Sequence, residues 1–275
     1  MGTSHSHTPT IQHQPNWGQT SASVTSIAIG VEKADELDKN PPAHMTPQQI
    51  TKRQSTLDNQ IRKNFHRAVR NLVRSAGGRA KVGNGTSRAL GHAGVVVLGK
   101  FVSTFNEITN HGLVQWMRDR GILSLEGKTC RDILNIIRGF IQNGVAGLDN
   151  TAANEALEHV MELLEDQMDD NITSFDEVMG KVWEKESIKD LIDEFFGMYI
   201  FSHLSQDFEE KLGYEKGTEV MYMAMDEIRE LIIDDVKMGK LGRSAETIDW
   251  GSEEGIIFIS KEFDRILYIL SGNED

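Results

Sequence analysis

The amino-acid sequence predicts an all-α protein, in which a multi-helix, bundle-like domain follows a flexible N-terminal tail. Two observations support this prediction. From position 46 onward, apolar residues recur at spacings of three, four and seven, which is typical of helices with one buried face. No stretch alternates between apolar and polar residues over a useful length, so no β-strand is predicted. About eight or nine helices are expected from the number of apolar stripes.

The flexible tail is assigned to residues 1–45, which are rich in Ser, Thr, His, Gln, Asn and Pro. Large apolar residues are scarce in its first half, where Ile11 and Trp17 stand almost alone. A segment of this composition buries too little apolar surface to offset the entropy lost when the chain becomes ordered. We therefore expect the tail to be mostly disordered, with a short ordered piece around residues 24–31.

Start and stop signals divide the helical domain, residues 46–275, into its elements. Thr46, Pro47 and Gln49 form a capping box with proline in the first turn, so a long helix is expected to begin here. It should end at the glycine pair that opens a Gly-rich basic loop over residues 77–85. The later helices are expected to start at Thr86 or Ser87, Leu113, Thr129, Asn150, Ser174, Ser187, Thr218 and Ser252.

Charge is distributed unevenly between the two ends of the chain, whose overall net charge is −13. Residues 1–100 carry 13 Lys and Arg against 5 Asp and Glu, whereas residues 101–275 carry 16 against 37. The helical domain thus divides into a basic part, 46–112, and an acidic body, 113–275. The contrast is sharpest in residues 52–100, which carry 11 Lys and Arg against one acid, Asp58. Three interpretations of this segment stay open. It faces the acidic body within the fold or between subunits, it makes the protein an adaptor that binds nucleic acid or a nucleotide, or it makes it a scaffold that docks an acidic protein.

The basic part supplies the candidate contacts for an anion or a nucleic acid. A nucleotide-binding phosphate loop is excluded in the segment GGRAKVGNGTSR because Asn84 stands where the lysine of that motif belongs, and no strand precedes it. A looser anion site at the start of the following helix stays open. The candidate contact residues are Arg62, Arg67, Arg70, Arg74, Arg79, Lys81 and Arg88.

No catalytic constellation is recognisable, and we expect a non-enzymatic protein without a metal or a cofactor. The motifs HExxH, CxxC and GxSxG do not occur, and the single cysteine, Cys130, is interpreted as structural. His5, His7 and His13 lie in the tail, where mobile imidazoles bind metals weakly. No apolar run approaches the roughly 18 residues of a membrane span, so we expect a cytoplasmic protein without a membrane partner.

The N-terminus is the best candidate site. Gly2 is small, so removal of Met1 is expected to leave a free glycine amine, whose pKa is about 7.7–8.0 and which is partly neutral and nucleophilic near pH 7. Alternatives are an unmodified tail and a myristoylated Gly2, since the pattern M-G-x-x-x-[ST] is completed by Ser6. Trp17, a lone tryptophan in a polar tail, is typical of an anchor for a partner's pocket, or it docks on the chain's own body.

The chain resembles QatB, a component of the bacterial Qat antiphage defence system. The resemblance rests on MGTSHS, the polar tail with proline and tryptophan, the basic segment that leads into TSRALGHAGVVVLGKF, and the acidic helical body. It is most specific at residues 1–4 and 88–101. The resemblance implies a protein without established enzymatic activity, encoded with an ATPase, a TatD-like nuclease and a QueC-like enzyme.

The resemblance also implies a chemistry for the N-terminus. QueC enzymes use ATP to join a carboxy-deazaguanine to ammonia, and the QueC-like partner is expected to use the amine of Gly2 instead. The product would be an amide that links a 7-deazaguanine to Gly2, which is the only covalent addition we expect. Thr3, Ser4 and Trp17 would contact the partner enzyme.

Overall fold

The structure is a computed structural model that describes residues 14–142, 144–168, 175–182, 185–238, 250 and 252–273. These residues form helices and connecting turns, and none of them lies in a β-strand. The all-α prediction is therefore confirmed. The helices are α1 (Trp17–Lys39), α2 (Pro47–Ser75), α3 (Arg79–Gly83), α4 (His92–His111), α5 (Leu113–Asp119), α6 (Cys130–Ile141), α7 (Leu148–Glu165), α8 (Phe175–Val182), α9 (Lys185–Lys216), α10 (Thr218–Met238) and α11 (Glu253–Leu270).

Helix α9 lies at the centre of the molecule and contacts α1, α4, α7, α8, α10 and α11. A helix surrounded in this way needs apolar residues on more than one face. Its middle meets this need with Phe195, Phe196, Tyr199 and Ile200, which are fully buried. Phe196 stacks on Phe263 of α11 with 4.1 Å between ring centroids, which fixes the last helix against the central one.

The ordered piece expected around residues 24–31 lies within α1, but the prediction of a disordered tail is wrong for residues 17–23 and 32–39, which belong to the same helix. This helix packs along α2 and α10 and buries Val24, Ile27 and Ala28. Gly30 lets α1 approach α2 closely, since a Cβ at this position would lie 2.6 Å from Cγ1 of Ile61 in α2. The polar composition of this segment does not prevent a helix, because the hydroxyls of Thr20, Ser23 and Ser26 donate hydrogen bonds to backbone carbonyls four residues earlier. Residues 1–13 lie outside the described part of the chain.

Helix starts were predicted correctly where the cap is local in sequence. Thr46 with Gln49 and Thr129 with Asp132 form complete capping boxes, and the hydroxyl of Ser252 accepts a hydrogen bond from the N–H of Glu254. Helices α5 and α10 also begin as predicted, at Leu113 and Thr218.

Other predicted starts are corrected by the structure. Helix α4 begins at His92 rather than after Thr86 or Ser87, α7 begins at Leu148 before Asn150, and α9 begins at Lys185 before Ser187. The Gly-rich loop also contains the short helix α3. The predicted cap Ser174 lies outside the described residues. Among the described helices, none has the length and apolarity to cross a membrane.

Candidate functional site

A groove of about 930 Å³ lies between the C-terminal half of α2, the segment around α3, and α11. It gathers three of the predicted anion contacts, Arg70, Arg74 and Arg79. These arginines share the groove with apolar side chains from both walls, so it combines charge with exposed apolar surface. Its lining residues are Arg70, Val73, Arg74, Gly78, Arg79, Ala80, Gly83, Asn84, Ile256, Ile257, Ser260, Lys261, Asp264 and Ser271.

Two of these arginines are held in place by α11 and its C-terminal end. Arg70 donates to the carbonyl of Ser271 from Nε at 3.2 Å and from Nη2 at 2.9 Å. The Nε of Arg79 lies 3.2 Å from a carboxylate oxygen of Asp264, and its guanidinium lies 4.9 Å from the ring centroid of Tyr268. These contacts join the two walls and fix positive charge along the groove.

The remaining predicted anion contacts do not join the groove. Arg62 pairs with Asp235, a buried carboxylate of α10 that also lies 2.8 Å from Nε2 of His66. Arg67 lies beside α1, in a separate cavity at the interface of α1 and α2. Lys81 and Arg88 are exposed and are not among the residues that line the groove.

The pairing between α2 and the acidic helices answers part of the question posed by the charge distribution. Basic side chains of α2 and the α3 segment meet carboxylates of α10 and α11 within one chain. This is the first of the three interpretations left open by the sequence. Of the seven predicted basic contacts, three lie together in the groove: Arg70, Arg74 and Arg79.

A second polar cluster is buried where α4, α7 and α9 meet, with the carboxylate of Asp149 at its centre. Asp149 accepts hydrogen bonds from the backbone N–H groups of Gly91 at 3.1 Å and Ala93 at 2.8 Å. It also accepts one from the Tyr199 hydroxyl and lies 3.2 Å from Nε2 of His203. The carboxylate thus caps α4 from a distant helix and satisfies N–H groups that the first turn leaves unpaired.

The electrostatics of this buried cluster favour the ionised form of Asp149. Burial alone would raise the pKa of its carboxyl, but hydrogen bonds and charge from His203, with hydrogen bonds from Tyr199 and Ala93, outweigh burial and lower that pKa. Burial, reinforced by the nearby carboxylate, raises the pKa of the Tyr199 phenol well above its ordinary value. Tyr199 therefore stays a hydrogen-bond donor to Asp149.

Backbone geometry at Gly91 explains why α4 starts there. Gly91 has φ of +109°, a conformation that side chains rarely adopt. A Cβ at this position would lie 2.3 Å from the carbonyl oxygen of Val82. Glycine is therefore needed to aim the first N–H groups of α4 at Asp149.

Sequence reasoning missed the Asp149 cluster entirely. No local signal exists, because positions 91, 149 and 199 are brought together only by tertiary structure. Among the described residues no group of His, Cys, Asp or Glu is arranged to hold a metal ion.

Of the four residues predicted for the N-terminal site, only Trp17 lies within the described residues. Gly2, Thr3 and Ser4 lie outside the described residues. Trp17 opens α1 and stacks on Phe208 of α9, with 5.0 Å between ring centroids and 14° between ring planes. Of the two interpretations of Trp17, docking on the chain's own body is the one that the structure shows.

The fold and the groove together define an all-α protein that carries a basic, partly apolar groove on an otherwise acidic chain. The family model described as "Qat anti-phage system associated protein QatB" matches residues 77–269. The chain therefore belongs to the QatB family and is a component of an anti-phage defence system. Neither a curated protein nor a solved structure shows significant similarity to the chain.

Proposed function

We propose that this member of the QatB family is a non-enzymatic acceptor, which a QueC-like partner enzyme binds and modifies at the amine of Gly2. The observation that carries the proposal is the family membership, which supports a role beside other proteins of the same system. The matched region covers residues 77–269, so the choice of Gly2 rests on the sequence alone. An ATPase and a TatD-like nuclease complete the proposed set of partners.

The proposed reaction is an ATP-driven amide formation. The neutral α-amine of Gly2 attacks the activated carboxyl carbon of a carboxy-deazaguanine, the C–N bond forms, the activating group leaves, and the amine loses a proton. Formally, one water is removed between acid and amine. Near pH 7 a useful fraction of the amine is unprotonated, because its pKa is about 7.7–8.0.

The anchored start of α1 sets a limit on where this reaction takes place. Because Trp17 is fixed on Phe208, the segment between Gly2 and Trp17 is tied to the helical body. A chain spans at most about 3.3–3.6 Å per residue, so the Gly2 amine lies within about 50 Å of Trp17. The partner's catalytic site must therefore come within that distance of α9.

Intact-mass analysis tests the proposal. The chain is co-expressed with the QueC-like enzyme, and the N-terminal peptide is sequenced by tandem mass spectrometry. We expect one adduct whose mass equals the deazaguanine acid less one water, placed on Gly2. A plain Gly2 terminus beside a partner shown to be active would contradict the proposal, and a fatty-acyl mass would support myristoylation instead.

Two substitutions at the same position provide matched controls. Gly2→Ala keeps a primary amine and should still accept the group, at a reduced rate because of the added methyl. Gly2→Pro leaves a hindered secondary amine and should abolish both the adduct and protection against phage. An adduct that persists in Gly2→Pro would place the modification elsewhere in the chain.

The nucleic-acid alternative has a narrower structural basis, since only Arg70, Arg74 and Arg79 of the seven predicted contacts share the groove. It predicts binding that weakens steeply as salt rises. Titration of a short labelled duplex near 50 mM salt measures it directly. Absence of salt-dependent binding would remove this alternative without affecting the Gly2 proposal.

A further inference from the structure

The groove between α2–α3 and α11 is long as well as voluminous. Its lining residues on and just after α11 run from Ile256 to Ser271. At about 1.5 Å per residue this stretch extends over roughly 22 Å, which is the length of about four helical turns. A groove of this length between two helices suits a helical segment of another protein laid along it.

Apolar side chains at one end of the groove are left uncovered. Ile256 and Ile257, in the first turn of α11, are 55% and 47% exposed. On the opposite wall Ala80 is exposed, beside the buried Val73. Neighbouring exposed isoleucines beside a concave surface are typical of a protein interaction site rather than of ordinary solvated surface.

The charges of the groove oppose those of the whole chain. Among the described residues, its lining contains Arg70, Arg74, Arg79 and Lys261 against one carboxylate, that of Asp264. The chain as a whole, by contrast, carries a net charge of −13. Arg70 and Arg79 are fixed by their contacts with Ser271 and Asp264, so this positive charge is already positioned. Such complementarity favours an acidic partner and steers its approach.

We infer that this groove binds an acidic amphipathic helix of a partner protein. The apolar face of that helix covers Ile256, Ile257 and Ala80, and its carboxylates lie beside the arginines and Lys261. This inference goes beyond the acceptor function, because a helix held here binds whether or not Gly2 carries a group.

Fluorescence anisotropy with the full-length chain tests the inference. The probe is a labelled 15-residue peptide that one hydrocarbon staple on its polar face holds helical, with Leu at positions i, i+3, i+4 and i+7, four Glu beside this apolar face and Ala elsewhere. Two matched peptides replace every Glu by Lys or every Leu by Ala. We expect the Glu and Leu peptide to bind at least tenfold more tightly than either matched peptide. Equal affinities, or no binding of the acidic peptide, would overturn the inference.

Groove variants identify where the peptide binds. Ile257→Asp and Lys261→Glu should each weaken binding of the acidic peptide about tenfold, and Lys261→Glu should strengthen binding of the Lys peptide. The matched controls are Leu123→Asp, at a residue that is 87% exposed outside the groove, and Lys100→Glu on α4. Controls that weaken binding as strongly as the groove variants would overturn the inference. Circular dichroism melts confirm that each variant is folded.

Two other occupants are distinguished by the same set of proteins. A short DNA duplex that displaces the acidic peptide at equal concentration would overturn the inference in favour of nucleic acid. Sedimentation that shows a dimer in the unsubstituted chain and a monomer in Ile257→Asp would overturn it in favour of a second copy. A monomer in both, with peptide binding lost only in the groove variants, supports it.

Discussion

Two polar regions of this molecule use charge in opposite ways. The Asp149 cluster is enclosed by α4, α7 and α9, and every partner of its carboxylate belongs to the fold. The groove beside α11 is open, and its charges lie next to isoleucines that are about half exposed. The first arrangement serves folding, because a buried carboxylate is tolerated only when it is fully hydrogen-bonded. The second leaves surface available to a ligand.

Replacing the central carboxylate should have the largest effect. Asp149→Ala removes the acceptor of the buried Ala93 N–H and Tyr199 hydroxyl and the partner of His203 Nε2. We expect this to lower the free energy of unfolding by about 4 kcal/mol. The matched variant is Asp264→Ala in the groove, whose partner Arg79 is partly exposed, with an expected loss under about 1 kcal/mol. Denaturant unfolding measures both. Similar losses would show that the two regions do not differ in this way.

Substitution at Gly91 should have the second-largest effect on stability. Gly91→Ala forces a side chain into a left-handed conformation and against the carbonyl of Val82, which should cost about 3 kcal/mol. Gly99→Ala lies inside the same helix with nothing within 4 Å of the added methyl, so it should stabilise by up to about 1 kcal/mol. Thermal melts of the pair test the assignment, which a destabilising Gly99→Ala together with a tolerated Gly91→Ala would contradict.

Acid should weaken the enclosed cluster. The pKa of Asp149 is lowered in the folded state, so its contribution to stability is fully present above its ordinary pKa of about 3.9 and is lost as pH falls through the lowered value. Unfolding free energies measured from pH 6 downward should fall less steeply in Asp149→Asn than in the unsubstituted chain. Parallel slopes would show that Asp149 does not titrate differently on folding.

The smallest expected effect lies in the groove. Lys261→Glu changes an exposed side chain and should alter the free energy of unfolding by less than about 0.5 kcal/mol. The same substitution should abolish most of the affinity for an acidic helix. A stability change as large as that of Asp149→Ala would mean that the groove, too, serves the fold.

The sequence predicted what is encoded locally. Helices α2, α6 and α11 start at their own caps, Thr46, Thr129 and Ser252, so neighbouring residues were enough to place them. Helix α4 was misplaced because its cap, Asp149, lies more than fifty residues away in the chain. The tail was misjudged since α1 gains its stability from α2 and α10 rather than from its own composition.

The candidate sites, like the helix starts, could be predicted only as far as their signals are local in sequence. The charge distribution identified the arginines of α2 as candidate anion contacts, but the sequence does not reveal that α11 lies opposite them and supplies Ile256 and Ile257. Arg70 lines the groove because it contacts Ser271, 201 positions away, whereas Arg62 pairs outside it with Asp235, 173 positions away. The prediction at Gly2, by contrast, rests on the sequence and is tested by mass.

The Asp149 cluster has a consequence for how the molecule opens. A local fluctuation that detaches α4, α7 or α9 would strand a charge or several backbone N–H groups in an apolar interior, which penalises every partly open form. The three helices should therefore behave as one cooperative unit, with slowly exchanging amides that share a single opening free energy. Native-state hydrogen exchange in low denaturant would reveal this unit as a common isotherm for amides in α4, α7 and α9.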